Sequence, residues 1–271
     1  MITFLTIPWF KLEPIELWAG LKIQPFGVMA AIAILVGARF ARRRAEQLRL
    51  SPAAVSDFLL WTTLIGLVCA YSLNAVLYHP RELLEALADP GRLVSRYWGL
   101  SSYGGFFGGA IAGWILCRRP GLSLASMADV WCFAIPFAWI FARGGCFVVH
   151  DHPGVASEFV LAVADYDGAG VARHDLGLYE VLWSIAVSTL FLRLSRRPRP
   201  VGYYLGLIPL LYGPFRFVLD FLRIPEAEGG DARYLGLTPA QYFSLVLTLI
   251  GVALLVRRRA PDPGAATAAA P

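Results

Sequence analysis

Two arginines interrupt apolar stretches of this 271-residue chain, Arg143 in "FARGGCFVVHDHPG" and Arg216 in "YGPFRFVLDFLR". A guanidinium in hydrocarbon costs about 3 kcal/mol or more unless it is paired or reaches water, so each needs a partner or a purpose. The planar fork of donors suits an oxyanion such as a carboxylate or phosphate, which it grips through two directed hydrogen bonds. Behind Arg143 follow Cys146, His150, Asp151 and His152, then Pro153 and Gly154. A carboxylate between two imidazoles at the end of an apolar run is a proton-transfer set, because imidazole changes charge near neutral pH. Plainer readings exist for both arginines. Arg216 and Asp220 stand four apart on one helical face and could neutralise each other, and Arg143 could snorkel toward lipid headgroups. Cys146 and His150 share a face if the helix continues that far, and with Asp151 and His152 they offer metal-ligand types. Pro153 and Gly154 end the helix there and no paired-cysteine spacing is present, so no metal is expected.

The elements that carry these residues are membrane spans. Of the residues, 57% are hydrophobic and 16% charged, with a mean hydropathy of +0.59, which excludes an aqueous globular fold and predicts an all-α integral membrane protein. Apolar stretches near the roughly 20 residues needed to cross a bilayer recur at about 24–41, 57–79, 98–117, 128–149, 176–195, 201–222 and 237–256, which predicts seven transmembrane helices. The opening "MITFLTIPWFKLEPIELWAG" lacks a basic start ahead of an apolar core and reads as an interfacial segment with Trp9 and Trp18 as headgroup anchors. Cys69, Cys117, Cys132 and Cys146 fall within or at the ends of spans and are expected to be free thiols.

Apart from Arg143 and Arg216, the 24 basic residues are unevenly shared between the two sides. One side holds Arg39, Arg42, Arg43, Arg44, Arg49, Arg118, Arg119, Arg193, Arg196, Arg197, Arg199 and the run Arg257 to Arg259; the other holds Lys11, Lys22, Arg81, Arg92, Arg96, Arg173, Arg223 and Arg233 with most of the acids. The positive-inside rule then puts the N-terminus outside and the C-terminus in the cytoplasm. The net charge of +5 is a topology signal that requires no nucleic acid. Residues 1–259 read as a single polytopic membrane domain with outward loops at 80–97, 150–175 and 223–236. Residues 260–271 read as a disordered cytoplasmic tail.

At 1.5 Å of rise per residue, Arg143 and Arg216 each lie roughly 22 Å from the cytoplasmic start of their spans, about 8 Å beneath the outer surface of a ~30 Å core. Counted down from the outer side, Tyr103 lies ~8 Å into the third span and Glu180 ~6 Å into the fifth. The depths coincide, and predict one polar cluster opening toward the outer leaflet. All four histidines, His79, His150, His152 and His174, fall on that side. The glycines of "YGGFFGGAIAG" have small-xxx-small spacings, Gly105 with Gly109 among them, that suit close helix packing.

These motifs together resemble the prolipoprotein diacylglyceryl transferase family. The resemblance runs from about Pro25 to Ser244 and rests on "GLSSYGGFFGG", the "ARGGCF" segment, "RHDLGLYE", "YGPFRFVLDFLR" and "LTPAQYFS". Arg143, Gly145, Phe147 and Gly154 match the family's signature, whereas Ala142, Cys146, Val149 and Asp151 differ from it. The family usually has tyrosine where Phe26 stands, histidine where Tyr103 stands, asparagine in place of Cys146 and glutamate in place of Asp220. The resemblance implies transfer of a diacylglyceryl group from phosphatidylglycerol to the lipobox cysteine of preprolipoproteins, at the outer, periplasmic face of the bacterial inner membrane. The partners it implies are phosphatidylglycerol, other membrane lipid and the preprolipoprotein signal peptide with its lipobox; no cofactor is implied.

For that chemistry a thiolate must form, and a free cysteine titrates near 8.5, so a base within reach is needed. The departing glycerol phosphate gains charge that Arg143 and Arg216 would stabilise. Tyr103, an ordinary phenol, titrates near 10 and is a poor base, which leaves His150 or His152, held by Asp151, as the expected proton acceptor. Gly154, Cys146, Glu180, Asp220, His174 and Phe26 are the remaining expected binding positions. The altered family positions leave two other readings open, a non-catalytic relative that binds lipid or lipoprotein, and a metal-dependent membrane enzyme or transporter.

Overall fold

A computed structural model of the chain describes residues 6–16, 22–78, 83–84, 102–118, 123–228, 230 and 233–259. Among them are seven α-helices: α1 (Pro25–Gln47), α2 (Pro52–Tyr78), α3 (Ser102–Leu116), α4 (Leu124–Val149), α5 (Leu176–Leu194), α6 (Tyr203–Leu219) and α7 (Pro239–Arg259). Two short antiparallel ribbons accompany them, β1 (Ile15–Glu16) with β2 (Lys22–Ile23), and β3 (Pro153–Ala156) with β4 (Arg173–Asp175). Six of the helices are long and apolar enough to cross a membrane, and α3 adds the shorter apolar helix Phe107–Leu116. Leu35, Val68 and Leu249 on these helices are each more than 60% exposed, as side chains facing lipid would be. This is a multi-pass, all-α membrane protein. His79, Trp18, most of the loop at 80–97 and the tail at 260–271 lie outside the described residues.

Helix starts follow local chemistry. α1, α2 and α7 each open on proline, whose fixed φ and missing N–H suit the first helical position. Ser51 Oγ accepts the Ala54 N–H ahead of α2, and Asp175 accepts the Leu178 N–H at 3.1 Å to cap α5. At α7, Thr238 and Gln241 satisfy each other: Thr238 Oγ1 accepts the Gln241 N–H at 3.2 Å, and Gln241 Oε1 accepts the Thr238 N–H at 3.0 Å, a reciprocal capping box.

The chain divides into two compact units, Met1–Ala41 with Cys132–Pro271, and Arg42–Trp131. In the first unit, Phe133 and Phe137 of α4, Val187 and Phe191 of α5, and Tyr204 and Ile208 of α6 form a buried cluster, and Phe40 of α1 stacks on Phe137 at 3.7 Å. Glycines let α6 and α7 approach: a Cβ on Gly251 would meet the Leu210 N at 2.6 Å, and one on Gly213 the Ser244 O at 2.7 Å. In the second unit, α3 lies on α2 through Gly104 and Gly108, where a Cβ would come within 2.5 Å of the Cys69 O and 2.6 Å of the Cys69 Cβ respectively. The glycine stripe of α3 is thus a packing surface, through Gly104 and Gly108 rather than the pair Gly105 and Gly109.

One detail differs from expectation. The hydropathy pattern ends the first span near residue 41, but α1 continues to Gln47, because Arg44 is buried with Nε and a terminal nitrogen 2.9 and 2.6 Å from the Asp129 carboxylate. Trp9 stacks on His150 with ring centroids 4.4 Å apart.

Candidate functional site

α4 and α5 carry the centre of the site. A Cβ on Gly177, in the first turn of α5, would stand 3.0 Å from the Phe147 N, so glycine there lets the start of α5 lie close against the end of α4. That approach brings Arg143 Nε to 2.9 Å from Glu180 Oε2, with Glu180 almost fully buried. The second carboxylate oxygen of Glu180 accepts the Tyr212 hydroxyl at 2.9 Å. Tyr212 stands one turn before Arg216 on α6, and Glu180 interacts electrostatically with both Arg143 and Arg216. Glu180 therefore ties α4, α5 and α6 together at one level.

The two guanidiniums are held differently. Glu180 engages Nε on one edge of the Arg143 fork, and a terminal nitrogen on the other side stands 3.5 Å from His152 Nε2. Arg216 pairs with Asp220 at 2.9 Å, and Asp220 also takes the Arg223 Nε at 3.1 Å and the Thr238 hydroxyl. Asp220 is fully buried, and Gln241 Nε2 donates to the Phe217 carbonyl at 3.2 Å. The start of α7 thereby fastens the end of α6, and with it Arg216. Three arginines, Arg143, Arg216 and Arg223, meet two buried carboxylates, Glu180 and Asp220, an excess of positive charge suited to an anion.

The remaining expected residues spread around this centre. Phe26 lies on α4 beside Gly145, where a Cβ would approach its ring to 3.1 Å. Gly154 underlies the β3–β4 ribbon, where a Cβ would meet the Leu222 O at 2.6 Å and the His174 Cβ at 2.7 Å. His174 Nδ1 bonds the Tyr179 hydroxyl at 2.5 Å. Asp151 is exposed, with Oδ1 3.7 Å from His152 Nε2. Cys146 is a buried free thiol, and its sulfur lies within 4.8 Å of ligand atoms on Asp151 and His152. That trio has metal-ligand types, but a guanidinium nitrogen 3.5 Å from one ligand atom opposes a cation there.

The two histidines part company. Burial lowers the proton affinity of His152, and the charges of Arg143 and Arg223 push the same way against Asp151. His152 is thus held neutral beside the arginine. His150, by contrast, is 6% exposed and hydrogen-bonds Asp175 through Nδ1 at 2.6 Å. Tyr103 falls in the first turn of α3, in the other unit, and its side chain lies outside what the structure describes.

Sequence reasoning did not single out Tyr212, Asp175 or Thr238. Tyr212 had a signal in standing four residues before Arg216, and Thr238 had one in the Thr-x-x-Gln pattern of a capping box. Asp175 had its place at a helix start.

Partly buried arginines paired with the buried carboxylates of Glu180 and Asp220 between apolar helices define the class: a polytopic membrane protein with a charged polar centre. A model of the family described as prolipoprotein diacylglyceryl transferase matches residues 14–257. Relatives named phosphatidylglycerol–prolipoprotein diacylglyceryl transferase include that of Pseudomonas paraeruginosa, 32% identical over 97% of this chain and 100% of its own length. That of Chromohalobacter salexigens is 32% identical over 95% and 96% of the two chains, and that of Nitratidesulfovibrio vulgaris 32% over 93% and 95%. The chain belongs to the prolipoprotein diacylglyceryl transferase family.

Proposed function

We propose that this protein transfers the diacylglyceryl group of phosphatidylglycerol to the lipobox cysteine thiol of preprolipoproteins, at the periplasmic face of the bacterial inner membrane. The observation that carries the reading is Arg143, bound to Glu180 along one edge of its fork and standing beside His152 on the other. Arg143 and Arg216 receive the lipid phosphate, while the acyl chains remain among the apolar helix faces. His152 Nε2, unprotonated at neutral pH, takes the proton from the incoming thiol. The sulfur then forms a bond to the glycerol carbon that bears the phosphate, the carbon–oxygen bond breaks, and glycerol phosphate leaves with the electron pair. The charge that grows on the leaving phosphate falls on preorganised guanidiniums, which need no reorientation as it develops. Asp151, at the water boundary, passes on the proton that His152 has taken.

His152 is favoured over His150 as the acceptor because it stands at Arg143, whereas His150 is enclosed. The test is complementation of a bacterium depleted of its own transferase. Expression of this chain is expected to restore the mass gain of one diacylglyceryl group on a reporter lipoprotein. A reporter that stays unmodified, with the protein present in the membrane, refutes the reading.

A further inference from the structure

His150 and Asp175 form a buried pair that the proposed chemistry leaves unused. His150 Nδ1 bonds Asp175 Oδ2 at 2.6 Å, and because a carboxylate only accepts, Nδ1 carries the proton of that bond. His150 Nε2 is buried and has no hydrogen-bond partner among the described residues. Trp9 stacks on the ring at 4.4 Å, while Phe10, Phe147 and Tyr166 meet it at centroid distances of 5.0 to 5.5 Å. An imidazole boxed in this way is poorly placed to take a proton from a substrate.

Its surroundings point to another role. His150 has a φ of 51°, a left-handed conformation that a bulky side chain adopts only when other contacts enforce it. This turn ends α4 and sends the chain toward His152. Asp175 uses its other oxygen, Oδ1, to cap α5 through the Leu178 N–H, and α5 carries Glu180. Backbone contacts run parallel to the side-chain bond: the Leu176 N–H donates to the His152 carbonyl at 3.1 Å, and Pro153 pairs with Asp175. One carboxylate thus joins the strained turn that delivers His152 to the helix that delivers Glu180.

We propose that His150 and Asp175 are positioning residues, whose bond locks the turn after α4 to the first turn of α5 and so fixes His152 against Arg143. The inference rests on the acceptor role given above to His152, but its placement can be read without turnover. Purified protein labelled with ¹⁵N-histidine is compared as wild type, His150→Asn and Asp175→Asn; asparagine tolerates the left-handed conformation at 150 and can still cap a helix at 175. The wild-type His152 ring is expected as one neutral tautomer with its proton on Nδ1, and either variant moves it to the tautomer mixture of a water-exposed ring. Turnover at saturating phosphatidylglycerol falls on the order of tenfold in each variant. In a His152→Ala background the His150→Asn change alters residual turnover by less than about twofold, since the ring to be positioned is gone. A His152 signal identical to wild type in a folded variant, whatever its melting temperature, overturns the proposal. A wild type that makes no thioether refutes the transferase reading instead, and the His152 signal still decides the positioning. If Asp175→Asn does not fold, His150→Asn decides it alone.

Discussion

At the scale of single residues, His152 gives the account a sign that can be checked. Its proton affinity is lowered in the folded protein, by burial first and then by the arginine charges, and that of His174 is lowered by burial as well. The unfolded chain therefore binds protons near the ordinary histidine value of about 6.5 that the folded chain refuses. Stability is fully present above that range and declines as the pH falls through it. Melting temperatures in detergent are expected to drop between about pH 7 and 5, and to drop less in His152→Gln; an equal slope in both proteins contradicts the environment assigned to His152. A common depth for Arg143, Arg216 and Glu180 was legible in the sequence, because it follows from rise per residue alone, but the ion pair between Arg143 and Glu180 was not. The division between His150 and His152 was not. Two residues apart at the end of a helix, their fates depend on a left-handed turn and on Asp175, some 25 positions further along.

Among the elements, the start of α7 has a consequence for α6. Thr238 donates its hydroxyl to the buried Asp220 that holds Arg216, and it also caps α7 with Gln241. Thr238→Val keeps the shape and removes both bonds, and is expected to cost about 1–2 kcal/mol of stability from the lost cap and to weaken phosphatidylglycerol binding through Arg216. Thr238→Ser, which keeps the hydroxyl, restores both. Binding unchanged in Thr238→Val would separate the α7 cap from Arg216. Seven helices could be counted from hydropathy, since each apolar run approaches the thickness of a bilayer. Their ends could not all be placed. Hydropathy stops at the charges of Arg42 to Arg44, yet Arg44 is an interior residue once Asp129 is opposite it. The β3–β4 ribbon was equally hidden, its strands of four and three residues being too short to show alternation.

For the molecule as a whole, the positive-inside rule predicts the direction of insertion. Exposed Arg42 and Arg43 fall in the last two turns of α1, and exposed Arg196 and Arg197 just after α5, whereas Arg143 and Arg216 stand in the last third of α4 and α6. A reporter fused after residue 259 is expected to be active only in the cytoplasm, and a tag ahead of residue 6 is expected to be accessible from the periplasm. The reverse pattern would place the polar centre on the wrong side of the membrane for a secreted lipobox. The match across residues 14–257 and the aromatic core shared by α4, α5 and α6 belong to a chain whose proposed purpose is to hold charge beneath the outer leaflet.

That purpose is tested most directly by Arg143→Lys, assayed in detergent micelles for thioether formation on a lipobox peptide over a range of phosphatidylglycerol concentrations. Lysine keeps the charge but loses the planar fork that, in the proposed reaction, joins Glu180 to the phosphate. Turnover is expected to be lower by about a hundredfold or more in a protein that still melts cooperatively. Turnover within about twofold of wild type at saturating lipid would show that the fork of Arg143 does not hold the leaving phosphate, and would contradict the site as described.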